Sequence, residues 1–254
     1  MCRTAIKPAE TPLRSHIARA DRAVLGALGL SLAFAGTVRP VQAQISGSLI
    51  LASDDRLRGY SVSNGRPTAS IALGYDAPSG LYVDGAATIA SRPEALVLTG
   101  ASVDAGYAWR TANAVVIDVG VTRRQFTRYA NGRRATGYGE IYAGAGGRNL
   151  SARLSYSPDY FAAGVHNLYG SLDGAVRADT KLRFTAHAGL NVYLSPVRIA
   201  ALRSVQYDVS VGAARRTGPI DVRLEMSSGG PNADYFSGRR RTKTAVVVST
   251  AIVF

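Results

Sequence analysis

From Gln44 onward, apolar and polar residues alternate in run after run. Ile71, Leu73 and Tyr75 alternate with Ser70, Ala72 and Gly74; Val205, Tyr207, Val209 and Val211 alternate with Gln206, Asp208 and Ser210. A period of two is the period of a strand. Val97, Val103, Tyr107 and Trp109 are assigned to one such face, opposite Ser102, Asp104 and Gly106. Gly, Asn, Asp and Pro stand between the runs, as turns require. With residues 45–52 and the C-terminal run, the pattern predicts about twelve strands and no helix.

The polar face separates two all-β classes. A soluble sandwich also alternates, but its apolar face fills a core with bulky side chains. Here the apolar face holds many Ala and Val, and the other is crowded with Gly, Ser, Asp and Arg. That suits an antiparallel transmembrane β-barrel with lipid outside and water inside. Tyr75, Tyr107, Trp109, Tyr156 and Tyr207 stand at run ends, where interfacial girdles form. Short connectors (77–80, 216–219) and long basic ones (123–136, 227–241) fit the two ends of such a barrel. The last run places Thr244, Val246, Val248, Thr250, Ile252 and Phe254 on one face. A terminal aromatic suits a closing strand, and Phe254 is the expected signal to the barrel assembly machinery. The alternative is an ordinary buried C-terminal strand.

The N-terminus predicts export. Arg3, Lys7, Arg14, Arg19 and Arg22 precede an apolar run over 23–38, and Val41-Gln42-Ala43 is a small-residue cleavage site. Residues 1–43 read as a signal peptide, leaving a single barrel domain over 44–254. A helical anchor is the alternative for this segment. Cys2, the sole cysteine, lies in the part removed, so no disulfide or cysteine metal site is expected. Lys and Arg outnumber Asp and Glu 30 to 17. In an exported chain that balance points to lipopolysaccharide, anionic lipid or anionic solutes, and away from nucleic acid.

The segment Leu51-Ala-Ser-Asp-Asp-Arg-Leu-Arg-Gly-Tyr-Ser-Val-Ser-Asn-Gly-Arg-Pro67 is distinctive. Its Ser53, Asp54, Arg56, Arg58, Gly59, Ser61, Ser63, Gly65 and Pro67 match the opening motif of the TorF porin family, which the chain resembles. Glu140-Ile-Tyr-Ala-Gly144 and Tyr156-Ser-Pro-Asp-Tyr-Phe161 are similar to a second motif of that family. One departure is Tyr129-Ala-Asn-Gly132, where the family often carries a Tyr-Pro-Gly turn. The resemblance implies an outer-membrane porin of a Gram-negative bacterium.

Candidate pore residues follow from the inward charges. Arg56, Arg58 and Arg66 beside Asp54 and Asp55 read as a basic constriction favouring anions. They read equally as a charge-paired loop that fixes the first hairpin. Glu140 is the most pointed inward acid, with Arg153 its expected partner. Arg183 and Arg223 complete the candidates. The sequence 157–161 reads as a strand exit with its aromatics at the membrane interface. His187 reads as a hydrogen-bonded lumen residue. The spacing of His166 and His187 gives no metal site, and no residue set points to a cofactor or a reaction. The expected function is passive diffusion of small hydrophilic solutes, with a preference for anions. The alternative is a closed barrel with a structural or surface-binding role.

Overall fold

The computed structural model describes residues 44–127, 136–195, 204–230 and 244–254. The predicted signal peptide and the Tyr129–Gly132 departure lie outside them. The strands are β1 (Gln44–Ala52), β2 (Arg56–Leu57), β3 (Tyr60–Ser61), β4 (Thr68–Asp76), β5 (Leu81–Ser91), β6 (Leu96–Arg110) and β7 (Val116–Phe126). They continue with β8 (Thr136–Gly146), β9 (Leu150–Ser157), β10 (Asn167–Arg177), β11 (Leu182–Tyr193), β12 (Val205–Thr217), β13 (Ile220–Gly230) and β14 (Thr244–Val253). Among the described residues, β1 and β4 to β14 form a closed twelve-stranded barrel, with β2 and β3 a separate two-stranded ribbon. Every pairing is antiparallel, and β1 closes on β14 through Ser48↔Val253 to Ala52↔Ser249. Phe254 and Gly47 exchange backbone hydrogen bonds of 2.9 and 3.0 Å, extending the seam to the C-terminus. The ring of Phe254 lies over Gly47 on the outside.

Alternation turns Ile71, Leu73, Val121, Ile141, Leu154 and Met226 outward, each at least 49 % exposed. The partners Ser70, Ala72, Thr122, Glu140, Ser155 and Ser227 turn inward. A belt of this extent cannot be left in water by a stable monomer. Closure pairs the ladder all the way round, so the wall suits a surround that offers no hydrogen bonds. Tyr75, Tyr107 and Trp109 fall near the end that holds Gln44, Phe254 and the short turns 77–80 and 111–115; Tyr156 and Tyr207 fall near the other.

Two local devices shape the wall. Thr99 is an extra residue in β6: Thr88 pairs with Gly100, and Ile89 with Leu98. Its hydroxyl donates to the Thr88 carbonyl at 3.0 Å. The bulge reverses the phase of the strand. Leu96 and Leu98 therefore face outward, and Val97 turns inward opposite the buried Ala90. This corrects the sequence pattern, which placed Val97 with Val103. The second device is glycine beside tyrosine. A side chain at Gly106 would meet Tyr82, and one at Gly120 would meet Tyr142, each 2.5 Å from the phenol oxygen. The missing side chains let both rings pack closely against the wall, where the two hydroxyls meet.

Gly120→Val is therefore expected to destabilise the barrel by about 1–3 kcal/mol, the usual range for overpacking. Urea unfolding in lipid vesicles measures it, and Tyr142→Ala in the same chain should recover part of the loss.

Candidate functional site

The segment between β1 and β4 turns back into the barrel. Its turn residues Arg58 and Gly59 both have positive φ, 48° and 78°, which gives the tight reversal that a two-residue hairpin needs. Asp54 holds the ribbon together. Its carboxylate accepts from Ser61 Oγ at 2.5 Å, Ser63 Oγ at 2.7 Å and the Gly65 amide at 3.2 Å. It also pairs with Arg56 at 3.1 Å. Ser53 fastens the root to β14: its amide donates to the Val248 carbonyl, and its hydroxyl accepts from the Val248 amide. The motif residues Ser53, Asp54, Arg56, Gly59, Ser61, Ser63 and Gly65 thus build one lumen hairpin.

The tip crosses to the far wall. Arg58 Nη2 meets Glu140 Oε1 of β8 at 2.5 Å, with both side chains below 10 % exposure. Its Nη1 donates to Asn167 Oδ1 at 3.4 Å and Asn191 Oδ1 at 3.3 Å. Its guanidinium carbon stands 3.9 Å from the Tyr169 ring centre, near enough for cation–π attraction. Burial works against the Arg58 charge. Glu140 and the surrounding tyrosines more than offset it and hold the pKa well above arginine's ordinary value. Gly59 docks on Gly229 of β13 so closely that a Cβ on Gly59 would sit 2.7 Å from the Gly229 Cα.

An aromatic layer lies above the tip, toward the end with the longer connectors. Phe126, Tyr138, Tyr160, Phe161 and Tyr193 pack with Val62 of the hairpin, all buried. Tyr160 and Phe161 therefore face into the mouth, not the membrane interface expected for them. The ring pairs Tyr138–Tyr160 and Tyr138–Phe161 both stand 4.8 Å apart, close enough that area burial alone understates their attraction. Sequence alternation cannot find these two residues, because they sit in a connector.

Lower in the lumen the other candidates pair locally. Arg153 bridges to Asp118 at 3.0 Å and covers the Tyr142 ring at 4.1 Å. It is not the partner of Glu140, as expected from the sequence; Arg58 takes that place. Arg183 pairs with Asp221 at 2.9 Å. Arg223 pairs with Glu225 and donates to Thr185 Oγ1 at 3.1 Å. Arg66, at the exit of the hairpin, is half-exposed and joins none of these pairs. Of the seven candidates, Arg58 and Glu140 meet each other across the lumen.

A closed, polar-lined barrel with a lumen hairpin is the geometry to compare. Residues 36–253 match the family described as a bacterial protein of unknown function, Gcw_chp. The chain belongs to that family. No curated protein matches it. Among solved structures it is similar to a KdgM porin: 14 % identity, 82 % of this chain and 99 % of that one covered, TM-score 0.50. It is also similar to a NanC porin, at 10 % identity, the same coverages and a TM-score of 0.54. At these identities the likeness is one of fold.

His187, expected as a hydrogen-bonded lumen residue, is held by two carboxylates. Its Nδ1 lies 2.7 Å from Asp173 Oδ1 and its Nε2 2.7 Å from Asp208 Oδ1. Both nitrogens therefore face carboxylates. Among the described residues no group of His, Cys, Asp and Glu has a metal-binding arrangement.

Glu140→Ala leaves the Arg58 charge without its partner, a loss of about 3–5 kcal/mol for a buried pair. The hairpin is expected to undock while the wall survives. Hydrogen exchange checks this: amides of residues 56–63 should lose protection, and those of β10 to β12 should keep it.

Proposed function

We propose that the protein is an outer-membrane porin of a Gram-negative bacterium, passing small hydrophilic solutes by diffusion through a lumen narrowed by its own hairpin. The observation that carries this reading is the hairpin itself, held across a closed, polar-lined barrel by Arg58 and Glu140. A twelve-stranded barrel is wider than the eight-stranded kind that side chains alone fill, and the hairpin narrows the space that is left. The apolar wall and its two aromatic belts support the membrane location. Membership of the TorF family is part of the proposal, supported by the roles of its motif residues in the hairpin. So are loss of residues 1–43 on export, insertion by the barrel assembly machinery through Phe254, and contact of the rim with lipopolysaccharide. No cofactor, nucleic acid or reaction enters this function.

The preference for anions needs a narrower basis than the sequence suggested. Arg56 and Arg58 face Asp54 and Glu140, so the basic cluster is largely neutralised. Any preference must come from inward arginines not matched in this way.

The second reading, a closed barrel with a structural or surface-binding role, is favoured by one observation. The aromatic layer of Tyr138, Tyr160 and Phe161 lies over the hairpin at one mouth. Single-channel recording of the refolded protein in a planar bilayer separates the two. A porin is expected to give small steady openings, and Arg58→Ala should enlarge them by freeing the hairpin tip. A folded, heat-modifiable barrel that stays silent in both forms supports the closed reading.

A further inference from the structure

The hairpin does not fill the lumen evenly. It touches β8 and β13 through Arg58 and Gly59 and leaves two gaps, one toward β4, β5 and β6 and one along β7 to β13; Arg124 lines both. The strand side of the first gap is made of small groups (Ser70, Ala72, Ala86, Thr88, Gly100 and Ser102), while Ile50, Leu57, Val62 and Phe126 add apolar surface. The Ser70 and Thr88 hydroxyls bond each other at 2.8 Å across β4 and β5. Facing this wall are Asp55 and Arg56 from the hairpin and Arg124 from β7.

Arg124 differs from the other arginines that face the lumen. Arg56, Arg58, Arg153, Arg183 and Arg223 each meet a carboxylate. Among the described residues, no carboxylate comes within ion-pair distance of Arg124. It stands opposite Ser102 in the β6–β7 register, and Asp104 is the diagonal neighbour. One oxygen of Asp104 already accepts from Thr122 Oγ1 at 2.5 Å. A guanidinium outside any ion pair, beside the Ser70, Thr88 and Ser102 hydroxyls, suits a carboxylate, which it can hold by two parallel hydrogen bonds. Asp55, Asp104 and, farther off, Glu140 act on the position from beyond ion-pair distance and oppose a second negative charge.

We propose that this off-axis gap is the solute path and that Arg124 is its selectivity residue, taking the carboxylate of small monocarboxylates. The proposal rests on the porin reading and names the solute class it would favour.

Asp55 adds a pH dependence. Burial raises its pKa to about 6, the neighbouring Asp54 adds to the rise, and Arg124 opposes it. The charged groups around it are Asp54 and Arg56 on the hairpin, Arg124 on β7 and, beyond Arg124, Asp104 on β6; the rest of the β4 to β6 wall presents hydroxyls and small side chains. Below about pH 6 Asp55 is neutral, and above it the carboxylate forms beside the path. Anion passage should therefore fall as pH rises through 6.

The test is the reversal potential of the full barrel in a planar bilayer, with potassium acetate and then potassium citrate across the membrane. Acetate is expected to permeate and citrate to be held back. Arg124→Gln should lower the relative permeability of acetate about tenfold, the weight of one charge-assisted pair. Arg124→Lys, which keeps the charge but not the fork, should lower it less. Arg123→Gln removes the same charge from the outward face and should change nothing. Asp55→Asn should abolish the fall between pH 5 and pH 7. A conducting wild type with equal acetate permeability in Arg124→Gln overturns the Arg124 assignment alone. An equal loss in Arg123→Gln overturns it too, by showing an effect of net charge. A wild type without conductance overturns the porin reading and this one with it.

Discussion

A strand whose outer face is apolar cannot leave backbone groups unpaired at an edge, so the sheet has to close on itself. That constraint fixes most of this molecule. It explains why β1 and β14, the two ends of the sheet in sequence, meet, and why the seam is carried as far as Gly47 and Phe254. It explains the strict alternation, since a single slip would carry a row of Leu and Val into water and a row of Asp and Arg into the surround. Where the phase does change, at Thr99, an added residue changes it and the strand continues outward-apolar on both sides.

Closure creates a second problem, which the charged residues solve. An arginine inside the barrel loses part of its hydration and needs a partner to remain charged. Arg58 faces this most sharply, because it is carried across the lumen on a tight turn far from its own wall. Glu140, two asparagine oxygens and the Tyr169 ring compensate it together. Removing such a partner costs more than the pair contributes, because the remaining charge stays buried. The hairpin is accordingly fixed at three points: Ser53 at its root, Asp54 at its centre and Arg58 at its tip.

The wall was legible in the sequence because its signal is local. A two-residue period needs only neighbours in the chain, and it gave the class, the strand number and almost every facing residue. Val97 escaped because a bulge adds one residue without a composition signal. The contacts across the lumen were not legible for the opposite reason. Arg58 and Glu140 are brought together by the return of a connector into the barrel, and periodicity says nothing of connectors. Arg153 was the natural partner for Glu140 on strand adjacency; it lies lower in the register and meets Asp118 instead. Tyr160 and Phe161 looked interfacial because aromatics at strand ends so often are.

Charge counted along the chain and charge available in the lumen are different quantities. The sequence is strongly basic, yet most arginines inside the barrel are matched by a carboxylate within 3.1 Å. A matched pair presents a dipole to a passing ion, and its field falls away faster than that of a single charge. The few groups left unmatched therefore weigh more than their number suggests, especially where the walls are close. The hairpin supplies that closeness. By reaching β8 and β13 it takes the paired Arg58 to the far wall and leaves the small-residue wall of β4 to β6 facing Arg124, Asp55 and the paired Arg56. The same element that neutralises the expected basic cluster thus decides which charges line the remaining space.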